Sequence, residues 1–424
     1  MDNENRMLYP MKFIPVPGLR DWGGNAMLTS FGKKLFVPDG RRERVLTADD
    51  RVGECYDVAD LGYIDSMIDN GWFGGNTLSE LMNTYLERVT GERAFNWYGT
   101  QFPVTVKWID ARDRMPLRVN PDDDTAAQRY DAFGKTALWY VAEAGEDSAL
   151  YLGFASEVSA SDFYAKCNDG SVDELLNVVR PKKGDSFLIK PGTVYSARGV
   201  VLVEISEASE LSFVLNDPYG GDTQLGEAFD LIDFGPFSAC CGECCGDRDG
   251  DCCCHGHEHE HGCEHSHCGE HEHCQERGHD DRSAVKLAVC PQFTASGIRL
   301  DDPMHIYCER FGSFLIYTCI EGEASLQTAS EDGKRTEQCV LRRGETVLVP
   351  AEVPDFFIVP RDKDTFLIET GLGDAGEDGE ECCGHGDCGH DHEGCDHDCG
   401  EHFGDEPEDD DFGVDAGWSP HIYN

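Results

Sequence analysis

Two stretches of this 424-residue chain, residues 240–279 and 382–402, hold 15 of its 21 cysteines and 14 of its 16 histidines and almost no apolar side chains. A segment with nothing apolar to bury cannot contribute to a core. Folding is therefore confined to what the two stretches leave: a long body from residue 11 to residue 233 and a shorter one of about residues 284–373. The expected division is a first domain at 1–236, a Cys/His-rich linker at 237–282, a second domain at 283–373 and an acidic tail at 374–424.

The formal net charge is −47, and the linker and tail carry more than half of it. Such a surface repels nucleic acid and anionic lipid, and no apolar run approaches membrane-spanning length. The start, Met1-Asp2-Asn3-Glu4-Asn5, lacks the charged-then-apolar pattern of a secretory signal. The expectation is a reduced, cytoplasmic setting, with neither nucleic acid nor membrane as partner. There, clustered cysteines read as metal ligands rather than as disulfides.

Thiolates and imidazoles alternate with carboxylates in the two stretches, as in His255-Gly256-His257-Glu258-His259-Glu260-His261. The candidate ligands in the first are Cys241, Cys244, Cys252, Cys253, Cys254, His255, His257, His259, His261, Cys263, His265, His267, Cys268, His271, His273 and Cys274. In the second they are Cys382, Cys383, His385, Cys388, His390, His392, Cys395, His397 and Cys399. Adjacent cysteines such as Cys252-Cys253-Cys254 suit no tetrahedral site of fixed geometry, so the pattern points to capacity. By softness the ions are zinc, nickel, cobalt or cuprous copper. The competing reading is a low-complexity insertion and tail that tolerate drift.

Both bodies show short runs rich in Val, Ile, Phe and Tyr, punctuated by Gly, Pro and Asp, which predicts a mainly β fold. Thr77-Leu78-Ser79-Glu80 is a capping box, followed by Leu81, Met82, Tyr85, Leu86 and Val89 on one helical face. A second helix is expected from Ser171. Across the two bodies, Lys182-Lys183-Gly184-Asp185-Ser186-Phe187-Leu188-Ile189 is echoed by Arg342-Arg343-Gly344-Glu345-Thr346-Val347-Leu348-Val349. A glycine turn feeding a buried strand, present twice, predicts a double cupin: two β-barrel (jelly-roll) domains with a small helical insertion and two disordered Cys/His-rich segments. Cys55, Cys167, Cys290, Cys308, Cys319 and Cys339 lie outside those segments and are expected to be buried fillers.

Several motifs of the first body occur in the order found in one family. They are Trp22-Gly23-Gly24, Phe31-Gly32-Lys33-Lys34-Leu35, Gly53-Glu54-Cys55-Tyr56, the run from Phe102 through Lys107 and Trp108 to Ala111, Asn120-Pro121-Asp122-Asp123, Gly134-Lys135-Thr136-Ala137 and Pro191-Gly192-Thr193-Val194-Tyr195. In these the chain resembles class I mannose-6-phosphate isomerase (phosphomannose isomerase) of the bacterial double-cupin type. The resemblance implies a zinc ion held by Gln, His, Glu and His. Here those positions carry Arg118, Asn120, Ala137 and Tyr195, and the family's arginine position carries Val214. No zinc is therefore expected in the cupin site, and no catalytic residue remains to be assigned.

The expected ligand contacts are Arg118, Lys135, Tyr195, Lys107 and Glu54, with an anion or sugar phosphate as partner. The alternative for Arg118 is that it pairs with an acid such as Asp122 and plugs the cavity. Three functions follow from the residues. One is a diverged, inactive homologue that binds an anion and carries transition metal on its Cys/His segments. Another is metal storage or delivery with the barrels as carrier. The last is an active isomerase, interconverting mannose 6-phosphate and fructose 6-phosphate, with a rebuilt zinc site.

Overall fold

Strand Val104–Ala111 shows how the sequence builds this molecule. Side chains alternate across a strand, so Val106 and Trp108 face one way and Lys107 and Ile109 the other. Val106 and Trp108 join Leu138, Tyr140, Val201, Val203 and Ile205 in a core completed by Phe293, Ile316, Leu348 and Ile368 from the second body. The opposite faces look into the first barrel, where Ile109, Ala137, Trp139, Val141 and Leu202 pack together. The second barrel follows the same rule. Leu315, Tyr317, Cys319, Val347 and Val349 fill its own interior, while Ile316 and Leu348 face the shared core.

The computed structural model describes residues 6–237, 284–330 and 335–373, and every metal-ligand candidate named above lies outside them. A nine-stranded sheet serves the first body, and a six-stranded and a four-stranded sheet serve the second. The fold is mainly β and cupin-like, as expected. Strand Met11–Lys12 crosses over and pairs with strand Thr346–Val349 of the second body. Among the described residues no helix is long and apolar enough to cross a membrane.

The echoed motif forms the same turn twice. Gly184 and Gly344 both have positive φ, at 82° for Gly344, and their N–H groups donate to the carbonyls of Val141 and Cys319. The acid that follows bonds back to the start of each turn, Asp185 to Lys182 N at 2.7 Å and Glu345 to Arg342 N at 2.8 Å. The basic residue before each glycine then reaches the opposite barrel. Lys183 pairs with Glu321, and Arg343 pairs with Glu143 at 2.8 Å. A β-carbon on Gly344 would lie 2.9 Å from Phe31 Cβ, so glycine is required there for space as well as for conformation.

Local expectations fare unevenly. Thr77 and Glu80 make the capping box, but the expected helix is broken. Leu86, at φ 51°, divides Leu78–Tyr85 from Glu87–Thr90. The helix expected at Ser171 is one 3-10 turn, Val172–Glu174, because the helix in this region is Ala160–Asp169, capped by the Ser159 hydroxyl. Cys55, Cys290, Cys308 and Cys319 are buried, whereas Cys167 and Cys339 are half-buried. Burial pushes the Cys55, Cys308 and Cys319 thiols up to about 12, which removes them as nucleophiles.

Candidate functional site

The interior of the first barrel is crossed by one row of facing residues from four strands. Trp139 stands opposite Glu204, Glu204 opposite Lys107, and Lys107 opposite Tyr56. Trp139 Nε1 donates to Glu204 Oε2 at 2.7 Å, and the Lys107 ammonium lies 5.2 Å from the Tyr56 ring centre. Trp139 is thereby a buried wall of the barrel.

Three carboxylates converge on the Lys107 Nζ: Glu210 Oε1 at 2.9 Å, Glu204 Oε1 at 3.2 Å and Glu54 Oε1 at 3.5 Å. Lys135 Nζ enters from the side, 3.0 Å from Glu204 Oε1 and 3.1 Å from Glu210 Oε1. Arg20 holds the other oxygen of Glu54 at 2.5 Å. Both lysine side chains and Glu204 are at most 4% exposed, so their charges must neutralise one another. Burial by itself lowers the Lys107 pKa, but Glu204 and then Glu210 outweigh it and hold it well above that of a free lysine. For Glu204, burial favours the neutral acid, yet Lys107 and Lys135 bring it down to about 2.

Beside this network lie the positions where the resemblance implies a metal. Arg118 pairs in register with Tyr195 on one side and Val214 on the other. The Tyr195 hydroxyl donates to Asn120 Oδ1 at 2.7 Å, and Asn120 Nδ2 donates to the carbonyl of Lys135 at 3.2 Å. Burial raises the pKa of Tyr195, which keeps the phenol neutral. Ala137 presents a methyl group to the apolar side of the barrel. Arg118 Nη1 donates to Ser212 Oγ at 2.9 Å, and its buried Nε has no hydrogen-bond partner.

These groups do not fit a zinc ion. One of the four is a fixed cation, one has no donor atom, and the other two are spent on each other. Two ammonium groups nearby would add repulsion. Among the described residues no cluster of three or more His, Cys, Asp and Glu side chains is arranged to hold a metal.

The structure therefore brings Glu54, Lys107 and Lys135 into one network and Arg118, Asn120 and Tyr195 into an adjoining one. The lysines expected to contact a ligand are engaged with carboxylates inside the protein. Asp122 does not pair with Arg118. Its carboxylate caps helix Asp123–Tyr130, accepting from Thr125 N at 2.7 Å. Glu204 and Glu210 were absent from the sequence expectation. A single acid in Val200-Val201-Leu202-Val203-Glu204-Ile205 is a signal that could have found the first, whereas Glu210 sits in a loop with no such pattern.

No family model matches the chain. Mannose-6-phosphate isomerase ManA of Bacillus subtilis is 30% identical over 210 residues, which are 49% of this chain and 61% of that protein. The probable mannose-6-phosphate isomerase GmuF of the same organism is 28% identical over 214 residues, 50% of this chain and 62% of that protein. The aligned region thus spans about three fifths of these relatives. The crystal structure of the Bacillus subtilis mannose 6-phosphate isomerase superposes with a TM-score of 0.62 at 20% identity, over 86% of this chain and all of that one. A putative mannosephosphate isomerase from Archaeoglobus fulgidus gives 0.62 at 18% identity, over 87% of this chain and 99% of that one. In sequence the chain is similar to mannose-6-phosphate isomerases over about half of its length, and two solved structures described by that name share its fold over most of it.

Proposed function

We propose that this chain is a non-catalytic member of the mannose-6-phosphate isomerase family, with a barrel centre held together by its own charges in place of a metal ion. The observation that carries this reading is the pairing of Lys107 and Lys135 with Glu204 and Glu210, beside four positions without a usable zinc donor set. A Lewis-acid metal supplies several kcal/mol of transition-state stabilisation, and about 1.36 kcal/mol is a factor of ten in rate. Interconversion of mannose 6-phosphate and fructose 6-phosphate should accordingly be absent or lower by several orders of magnitude. A coupled assay on chelator-treated protein resupplied with zinc tests this, and ordinary turnover overturns it.

An anion at Arg118 is the ligand reading that the geometry favours. Among the described residues no carboxylate of the ion-pair network reaches its guanidinium, which has the Ser212 hydroxyl and an unpartnered Nε. A guanidinium offers a planar fork to phosphate or carboxylate. Calorimetry with sugar phosphates on metal-free protein should detect binding that Arg118→Ala removes. Binding indifferent to that substitution sinks the assignment. Transition-metal uptake by the two Cys/His-rich stretches rests on sequence, and elemental analysis with and without them is its test.

A further inference from the structure

We propose that the anion preferred at Arg118 is a monoanion, a small 2-hydroxycarboxylate of the sugar-acid class, rather than a phosphate dianion. This choice of ligand rests on the reading of Arg118 as an anion contact. The charges at the barrel centre favour it. Arg20 is taken by Glu54 at 2.5 Å, and Lys107 and Lys135 are taken by Glu204 and Glu210 at 2.9 to 3.2 Å. These three cations meet three carboxylates, and Arg118 is a fourth cation without an acid of its own among the described residues. The centre therefore holds one positive charge in excess. An uncompensated charge away from water is costly. One bound negative charge cancels it, whereas a dianion overshoots and leaves an excess of the opposite sign.

The donors point the same way. Arg118 Nη1 donates to Ser212 Oγ at 2.9 Å, while the buried Nε has no partner, which leaves the Nε–Nη2 edge for a ligand. Two parallel N–H groups on such an edge match the two oxygens of a carboxylate. A phosphate ester has three terminal oxygens to satisfy, and the neighbouring donors are already engaged. Tyr195 and Asn120 are bonded to each other, and both lysines are held by glutamates. Ser212 Oγ accepts from Arg118 and keeps its own proton for a hydroxyl next to the ligand carboxylate. The anion would lie among the positions where the resemblance implies a metal, so the sign of the bound charge is inverted there.

Calorimetry on the chelator-treated full chain at about pH 7.5 can compare gluconate, glucose 6-sulfate and glucose 6-phosphate. The two esters share a tetrahedral shape, but the phosphate carries close to two charges at that pH and the sulfate one. Gluconate should bind about tenfold or more tightly than glucose 6-phosphate, and glucose 6-sulfate should also bind more tightly than the phosphate. Glucose 6-phosphate binding as tightly as either monoanion overturns the proposal, and if that binding depends on Arg118 the anion reading itself survives. Absence of binding by all three removes both. Arg118→Lys keeps the charge and loses the two-donor edge. It should weaken gluconate about tenfold or more and keep the sulfate ahead of the phosphate, and unchanged gluconate affinity overturns the assignment to the guanidinium edge. The ranking of the three anions is read on the unsubstituted chain, so it decides even where the variant does not fold.

Discussion

The two barrels share a turn, an alternation and an interface, and differ in what their strands point inward. The second encloses Leu315, Cys319, Leu326, Val347, Val349, Phe356 and Ile358. One polar contact there is Tyr317 Oη donating to Glu369 Oε2 at 2.5 Å. The first encloses a comparable apolar set on one side but gives its centre to Lys107, Lys135, Glu54, Glu204 and Glu210. Filling with apolar groups stabilises a barrel through burial at about 25 cal/mol per Å². Burying charges commonly does not, because desolvation cancels much of the attraction. The first barrel therefore carries an interior that stability alone does not call for.

Removing single members of the network is the harshest way to break this comparison. Lys135→Met leaves Glu204 and Glu210 short of a counter-ion and should cost about 3–5 kcal/mol in chemical denaturation. Tyr317→Phe in the second barrel removes one buried hydrogen bond and should cost about 1–3 kcal/mol. Combining Lys135→Met with Glu210→Gln should cost clearly less than the two changes summed, since each leaves the other's partner unneeded. Additive losses would mean that the charges act independently and that the network is not a unit.

A smaller effect separates the barrels by pH. Glu207, at the end of strand Tyr195–Glu207, accepts from Thr136 N at 2.8 Å. Burial and then the Asp123 charge push its carboxyl up from 4.5 to about 8. Below pH 4.5 the group is protonated in both folded and unfolded chains, and its contribution to stability is complete. As pH rises toward 8 the unfolded chain releases the proton while the folded one retains it, so stability falls across that window. Full linkage at about 1.36 kcal/mol per unit makes the loss on the order of 3 kcal/mol between pH 5 and 8. Asp110, raised by burial to about 6, adds to the lower part of the window. Glu207→Gln should flatten the curve, which denaturant titrations at pH 5 and pH 8 would reveal. In the second barrel, Tyr317, Cys308, Cys319 and Cys339 are all shifted to above this range. An unchanged slope in Glu207→Gln would place the pH dependence elsewhere.

Much of this architecture was legible because strand alternation and turn chemistry are local. The runs containing Lys107, Leu138 and Val203 announce strands, and the Gly184 and Gly344 turns recur with the same hydrogen bonds. That Arg118, Asn120, Ala137 and Tyr195 offer no usable zinc donor set could be read from their residue types. Partnership was not legible. Lys135 meets Glu210 across 75 residues, and no short-range pattern encodes that pairing. Nor does sequence disclose that Asp122 is committed to capping a helix, or that Leu86 takes a positive φ and divides one.

The finest distinction concerns the clasp between the barrels, where equal topology hides unequal strength. Arg343 reaches Glu143 at 2.8 Å, lies 4.5 Å above the Phe31 ring and donates to the carbonyl of Ile320 at 3.2 Å. Its counterpart Lys183 meets Glu321 with a side chain 53% exposed. An exposed pair of this kind is worth at most about 0.5 kcal/mol after screening, whereas the cation–π contact and partial burial should bring Arg343 to about 1–2 kcal/mol. Arg343→Ala should thus lower the denaturation midpoint measurably, and Lys183→Ala should barely move it. High salt should weaken the Lys183 contribution further and leave most of the Arg343 effect, because stacking and packing are not screened. Equal losses from the two substitutions would show that the repeated turn, rather than the surroundings of each cation, determines what the clasp contributes.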